Sequence, residues 1–236
     1  MWPYDAVVLA AGRGERLAPL TDTLPKPLAP VNSRPLLEWQ ILYLRSMGFN
    51  PVVTSWWLAD KIVSLGRVMD FDVIVEDHLQ RPGDVLAELV LLGLLQPQFV
   101  VINADTVIPE PPTKLLAKLC GLPPQYGACL LVRPTTNLDQ DKGIVVARGG
   151  RWLALEKPPR PIPQARVWTG AAALRTEAIA VARGDSLLEA IRPTAELAVI
   201  GTDLAELDIG TWPAYRHAAE AIERYYLPEI LKGSGG

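Results

Sequence analysis

Valine- and isoleucine-rich runs alternate with helical patterns through the first half of the chain. DAVVLAA, PVVTSW, FDVIVE and QFVVINAD read as strands buried on both faces. PLLEWQILYLRSMG carries apolar residues at helical spacing and ends at Gly48, a suitable C-terminal cap. GDVLAELVLLGLL and PTKLLAKLCG are the next helical segments. Strands separated by helices of this length predict an α/β fold with a mostly parallel central sheet and right-handed crossovers.

The second half is less regular. ACLLVR, GIVVAR, RWLALEK, RVWTGAAAL and LAVIGT read as shorter strands, with RGG a hairpin turn between the second and third. EKPPRPIPQ is a proline-rich connector, and Trp212 to about Leu231 reads as a closing helix. No internal repeat is present. The expectation is one α/β domain over residues 1–232 with a mixed second half, and a flexible GSGG tail at 233–236.

Composition narrows the partners rather than the fold. Of 236 residues, 49% are apolar and 21% charged, as in ordinary globular chains. A net charge of -3, with both signs interspersed, gives no basic surface for nucleic acid or anionic membrane. No apolar run approaches the roughly 20 residues of a membrane span, and MWPYDAVV lacks the features of a signal peptide. A cytoplasmic protein is therefore expected, with a homo-oligomer left open. Cys120 and Cys129 read as reduced, partly buried thiols, and His78 and His217 show no zinc spacing.

The chemistry concentrates in AVVLAAGRGERLAPL and, ten residues on, PKPLAPV. A loop at the carboxyl end of the first strand of an open sheet is a natural ligand site. Gly12 and Gly14 would let backbone N–H groups approach a phosphate closely. A dinucleotide fingerprint would need glycine where Leu17 stands, and the P-loop sequence is absent. Two glycines alone fit a simple strand-to-helix turn equally well. Arg16 and Lys26 shift that balance. A guanidinium fork can reach phosphate oxygens, and prolines on both sides of Lys26 fix the backbone around it.

LAAGRGERLAPLTDTLPKPLAPV resembles the signature of the sugar-1-phosphate nucleotidyltransferases, which make nucleotide sugars. The resemblance runs from about Ala6 to about Tyr215. It implies a single Rossmann-like nucleotidyltransferase domain and nucleotide binding by Leu9, Ala11, Gly12, Gly14, Arg16, Lys26 and Gly83. Asp105, at the end of FVVINAD, and Asp208, in DIGT, match the family's Mg²⁺ ligands; each alone would pass for a turn aspartate. Glu156 and Lys157 in EKP, with Gly143 and Gly170, match its sugar-phosphate side, although the VWTG segment departs from the usual pattern. Asp84 is read as a helix cap, and His78 and Gln80 as exposed loop residues.

The implied reaction is Mg²⁺-dependent attack of a sugar 1-phosphate on the α-phosphorus of a nucleoside triphosphate, releasing pyrophosphate. Arg16, Lys26, Asp105 and Asp208 would carry it. The alternatives are transfer to a non-sugar phosphate, such as a polyol phosphate or cofactor precursor, and a non-catalytic regulatory relative.

Overall fold

The computed structural model describes residues 4–135, 144–148, 151–155, 164–179, 187–192, 194–203 and 207–233. In chain order its longer elements begin with β1 (Tyr4–Leu9), α1 (Leu36–Ser46), β2 (Pro51–Ser55), α2 (Ala59–Met69) and β3 (Asp72–Val75). Next come α3 (Pro82–Leu91), β4 (Leu95–Asn103), the two-residue strand β5 (Thr106–Val107) and α4 (Pro112–Cys120). Strands β6 (Tyr126–Pro134), β7 (Ile144–Arg148), β8 (Arg151–Leu155), β9 (Arg166–Arg175), β10 (Glu196–Gly201) and the short β11 (Leu207–Asp208) follow. These elements group into two compact units.

The first unit comprises Tyr4–Gln80, Ile102–Pro109 and Glu206–Gly236. Its strands run parallel in the order β3-β2-β1, with Val8 beside Val53 and Val53 beside Val73. Strands β1 and β2 bury nearly every side chain, as continuous apolar runs in a parallel sheet should. FDVIVE does not follow its expected two-sided burial. It forms the edge strand β3, and Val75 is exposed, because a terminal strand has a neighbour on one side only.

Helix α1 buries Leu36, Leu37, Ile41, Tyr43 and Leu44, the stripe its spacing predicts, and Gly48 follows it at φ 84°. The closing helix is broken instead of continuous. Short α-helical segments at Trp212–Arg216 and Ala218–Ala221 lead into a π-helical stretch, Ile222–Tyr226, before helix resumes at Leu227–Gly233. Within the π stretch Tyr226 turns inward and stacks on Tyr43, with ring centroids 4.1 Å apart.

The second unit comprises Arg81–Val101 and Glu110–Ala205. Its sheet is mixed, as the shorter strands predicted. β9 is antiparallel to β6, β10 parallel to β6, and β7 antiparallel to β8 with Arg148 opposite Arg151. A register shift in β9 between Trp168 and Ala172 carries Gly170 at φ 87°. Thr169 there donates its hydroxyl to Leu131 O at 3.1 Å. The glycine is needed because a side chain is strained at that φ. Asp84 is not a cap: its carboxylate accepts from Arg81 Nε at 2.8 Å, in the first turn of α3. Both cysteines are free, Cys129 buried and Cys120 exposed. Among the described residues no helix is long and apolar enough to cross a membrane.

Arg175 gathers carbonyls at the end of α4 and the start of β6. Its Nη2 donates to Leu119 O at 2.9 Å and Leu122 O at 3.1 Å, and its Nε to Tyr126 O at 3.0 Å. A cation at a helix C-terminus also meets the negative end of the dipole. Arg175→Leu removes these three hydrogen bonds, although Leu119 O keeps its bond from Leu122 N, and urea denaturation is expected to read a stability loss of about 2–3 kcal/mol.

Candidate active site

Strand β1 ends at Leu9, and Ala10 N still donates to Thr54 O of β2 at 3.0 Å. The chain then turns through the glycine loop. Gly14 takes φ +70°, and its carbonyl accepts from Leu17 N at 2.9 Å and from the Thr21 hydroxyl at 2.9 Å. A Cβ at Gly14 would lie 2.8 Å from Lys26 Cβ, so glycine is required there both for its φ and for its size. Gly12 differs: a Cβ there would meet nothing within 4 Å, which leaves its backbone open to a ligand. Leu17, the residue that breaks the dinucleotide fingerprint, is fully buried and anchors the loop in the core. Arg13 stacks its guanidinium 4.3 Å over Trp57, whose Nε1 donates to Thr21 O at 3.1 Å.

Lys26 opens a single 3-10 turn, Lys26–Leu28, in which Pro27 needs no N–H to satisfy. Its side chain is only 7% exposed. The ammonium reaches Asp105 Oδ2 at 2.6 Å and Asp208 Oδ1 at 3.3 Å. The two aspartates come from facing backbones. Strand β11 pairs antiparallel with β5, Asp208 opposite Thr106, and Ile209 N donates to Asp105 O at 2.9 Å. Asp105 Oδ1 accepts from the Thr106 hydroxyl at 3.1 Å, and Asp208 Oδ1 from Gly210 N at 2.7 Å. Burial raises the Asp105 pKa, but the Lys26 charge and hydrogen bond, with the Thr106 hydroxyl, outweigh it and hold the carboxyl below its usual range. Arg16 extends its exposed guanidinium to within 3.8 Å of Asp208 Oδ2.

Arg16, Lys26 and Asp105 border a cleft of about 410 Å³, within the range of small-molecule sites. Asp208 is not among its walls and joins the group through Lys26 and Arg16. Leu9, Gly12, Gly14, Arg16, Lys26 and Asp105 line it. Ala10 lines it as well, while Ala11 is not among its walls. Gly210, Arg13, Glu15 and Leu79 are wall residues that the sequence reading did not single out. His78 is exposed, as expected, and Gln80 N donates to the buried Glu76 carboxylate at 2.9 Å. Gly83 and Gly170 belong to the second unit. Gly143, Glu156 and Lys157 lie outside the described residues.

The donor set suits a hard divalent cation. Two carboxylates already share one positive partner, and magnesium takes few protein carboxylates beside phosphate oxygens and water. Among the described residues no group of three or more His, Cys, Asp or Glu forms an all-protein metal cage.

Residues 5–225 match the nucleotidyl transferase family. The chain belongs to it. This nucleotidyl transferase is 36% identical over 146 residues to the N-acetylmuramate alpha-1-phosphate uridylyltransferase of Neisseria meningitidis serogroup B, covering 58% of this chain and 62% of that protein. It is 37% identical over 158 residues to the D-glycero-alpha-D-manno-heptose 1-phosphate guanylyltransferase of Aneurinibacillus thermoaerophilus, covering 65% and 67%. In fold it is similar to a Bacillus anthracis structure described as a putative glucose-1-phosphate thymidylyltransferase. The TM-score is 0.75 at 17% identity, over 96% of this chain and 98% of that one. The Rossmann-like α/β class read from the sequence agrees with that likeness.

Gly210 escaped notice because Asp-x-Gly is ordinary turn chemistry. A Cβ on it would lie 2.7 Å from both Arg16 Nη2 and Asp208 Oδ1 and 3.0 Å from Lys26 Nζ. Those are the ends of flexible side chains and can shift, whereas Gly14→Ala, at φ +70° and 2.8 Å from Lys26 Cβ, is expected to cost about 1–3 kcal/mol. Gly12→Ala, facing open space, should leave stability within about 0.5 kcal/mol of wild type. Chemical denaturation of the two variants checks the contrast.

Proposed function

We propose that this nucleotidyl transferase moves a nucleotidyl group from a nucleoside triphosphate to a sugar 1-phosphate, yielding a nucleotide sugar and pyrophosphate. The supporting observation is the convergence of Lys26, Arg16, Asp105 and Asp208 beside an open glycine loop, with Lys26, Arg16 and Asp105 lining one cleft. The relatives point the same way. The names of the Neisseria and Aneurinibacillus proteins differ in base and in sugar but share a sugar 1-phosphate acceptor. The chain spans 62% of the length of the first of these.

The acceptor phosphate is anionic before it reacts, so its oxygen attacks the α-phosphorus without a general base. What the protein must supply is alignment of two polyanions and cancellation of charge along the line of attack. Gly12 leaves backbone free for the triphosphate, and Gly14 holds the loop against the Lys26 stem. Lys26 and Arg16 bring positive charge to the phosphates. A magnesium ion on Asp105 and Asp208 would neutralise phosphate oxygens when bound. Glu156 and Lys157 are assigned to the sugar and its phosphate on the EKP resemblance, with Gly143 and Gly170 lending backbone.

Pyrophosphate release, measured with each nucleoside triphosphate against a panel of sugar 1-phosphates and Mg²⁺, tests the reaction. Turnover confined to a polyol phosphate would overturn the sugar assignment. Asp105→Ala is expected to lower turnover about 10²–10³-fold while keeping the fold. Lys157→Ala should raise KM for the sugar phosphate and leave that for the nucleotide unchanged. A shift confined to the nucleotide KM would reverse the division of roles.

A further inference from the structure

Gln40 is a polar residue in an apolar place. Helix α1 buries it to 1% exposure among Leu36, Leu37, Ile41 and Leu44, where an amide without partners costs stability. Its Nε2 donates to Asn103 O at 3.0 Å and to Thr106 O at 3.0 Å. Those two carbonyls stand on either side of Asp105. One amide therefore clamps both ends of the turn that presents the carboxylate.

Tyr226 reaches the same point from the π-helical stretch. Its hydroxyl donates to Thr106 O at 3.4 Å and accepts from Ile108 N at 3.2 Å. Burial pushes that hydroxyl well above its ordinary pKa, so it keeps its proton and remains a donor. The ring is fixed in turn by its stack on Tyr43. From the other side, Ile209 N holds Asp105 O at 2.9 Å. Filling the apolar space would need only a leucine or methionine. The amide satisfies two carbonyls of one turn, yet its own Oε1 is buried without a hydrogen-bond partner. An orphaned acceptor is a cost that packing alone would not retain.

We propose that Gln40, supported by Tyr226, is a positioning residue that sets the aim of the Asp105 carboxylate toward its cation. This rests on reading Asp105 as a metal ligand in the nucleotidyl transfer proposed above. Outer partners that orient a ligand characteristically change metal affinity and turnover when removed, without touching substrate.

The test uses the full chain and Mn²⁺ as the cation probe. Gln40→Met removes the clamp and keeps the bulk, and Tyr226→Phe removes only the hydroxyl and keeps the stack. Binding is read from the spectrum of free Mn²⁺ without nucleotide. Pyrophosphate release is read well below the unfolding temperature. Gln40→Met is expected to weaken Mn²⁺ binding and lower kcat about tenfold each. Tyr226→Phe should lower each about threefold, and nucleotide KM should stay within about twofold in both variants. A loss of thermal stability in both variants, with Mn²⁺ affinity and kcat per folded molecule intact, would overturn the proposal. Asp105→Asn separates the two readings. If it abolishes Mn²⁺ binding and Gln40→Met does not, only the positioning role fails. If it binds Mn²⁺ like wild type, the metal-ligand reading fails and the positioning role with it.

Discussion

The Lys26 ammonium lies 2.6 Å from Asp105 and 3.3 Å from Asp208, almost out of reach of water. A lysine buried that deeply is tolerated only beside opposite charge, and without both aspartates it would be an uncompensated ion. Three segments far apart in the chain are bound to one another by this requirement. The rest of the site is arranged so that it can be met. Prolines hold the lysine backbone in a single tight turn, Gly14 clears space for its stem, and Gly210 clears space for its head. The β5–β11 ladder brings the two carboxylates to the same place.

Where the chemistry is local, the sequence exposes it. The glycine loop, Arg16, Lys26 and the aspartate closing a buried strand all stand in short windows whose residue types have few other uses together. The parallel β1–β2 core was equally visible, because strands covered on both faces must be apolar throughout. What could not be read depends on neighbours remote in sequence. Gln40 looks like one polar position on an amphipathic helix until the Asp105 turn is packed against it. Gly210 looks like any turn glycine until Arg16 and Lys26 crowd its missing side chain.

The misreadings have the same origin. The run FDVIVE has the composition of a central strand, yet it lies at an edge, and position within a sheet leaves no local mark. Asp84 has the residue type of a cap, but it stands inside the first turn of α3, where Arg81 takes its carboxylate. The π-helical stretch at Ile222–Tyr226 carries no sequence cue, although it turns Tyr226 inward beneath the Asp105 turn.

The antiparallel pairing of Thr106 with Asp208 also has a temporal side. Lys26 and Asp208 are 182 positions apart. At a translation speed of about 5–20 residues per second, a nascent chain carries its glycine loop for on the order of ten to forty seconds before the second carboxylate is synthesised. Asp105 follows Lys26 by 79 positions, and from then until Asp208 is made β5 lacks its partner strand and the lysine has one of its two carboxylates. Half-made copies therefore lack the paired carboxylates, and the late-arriving strand completes the counter-charge of the lysine.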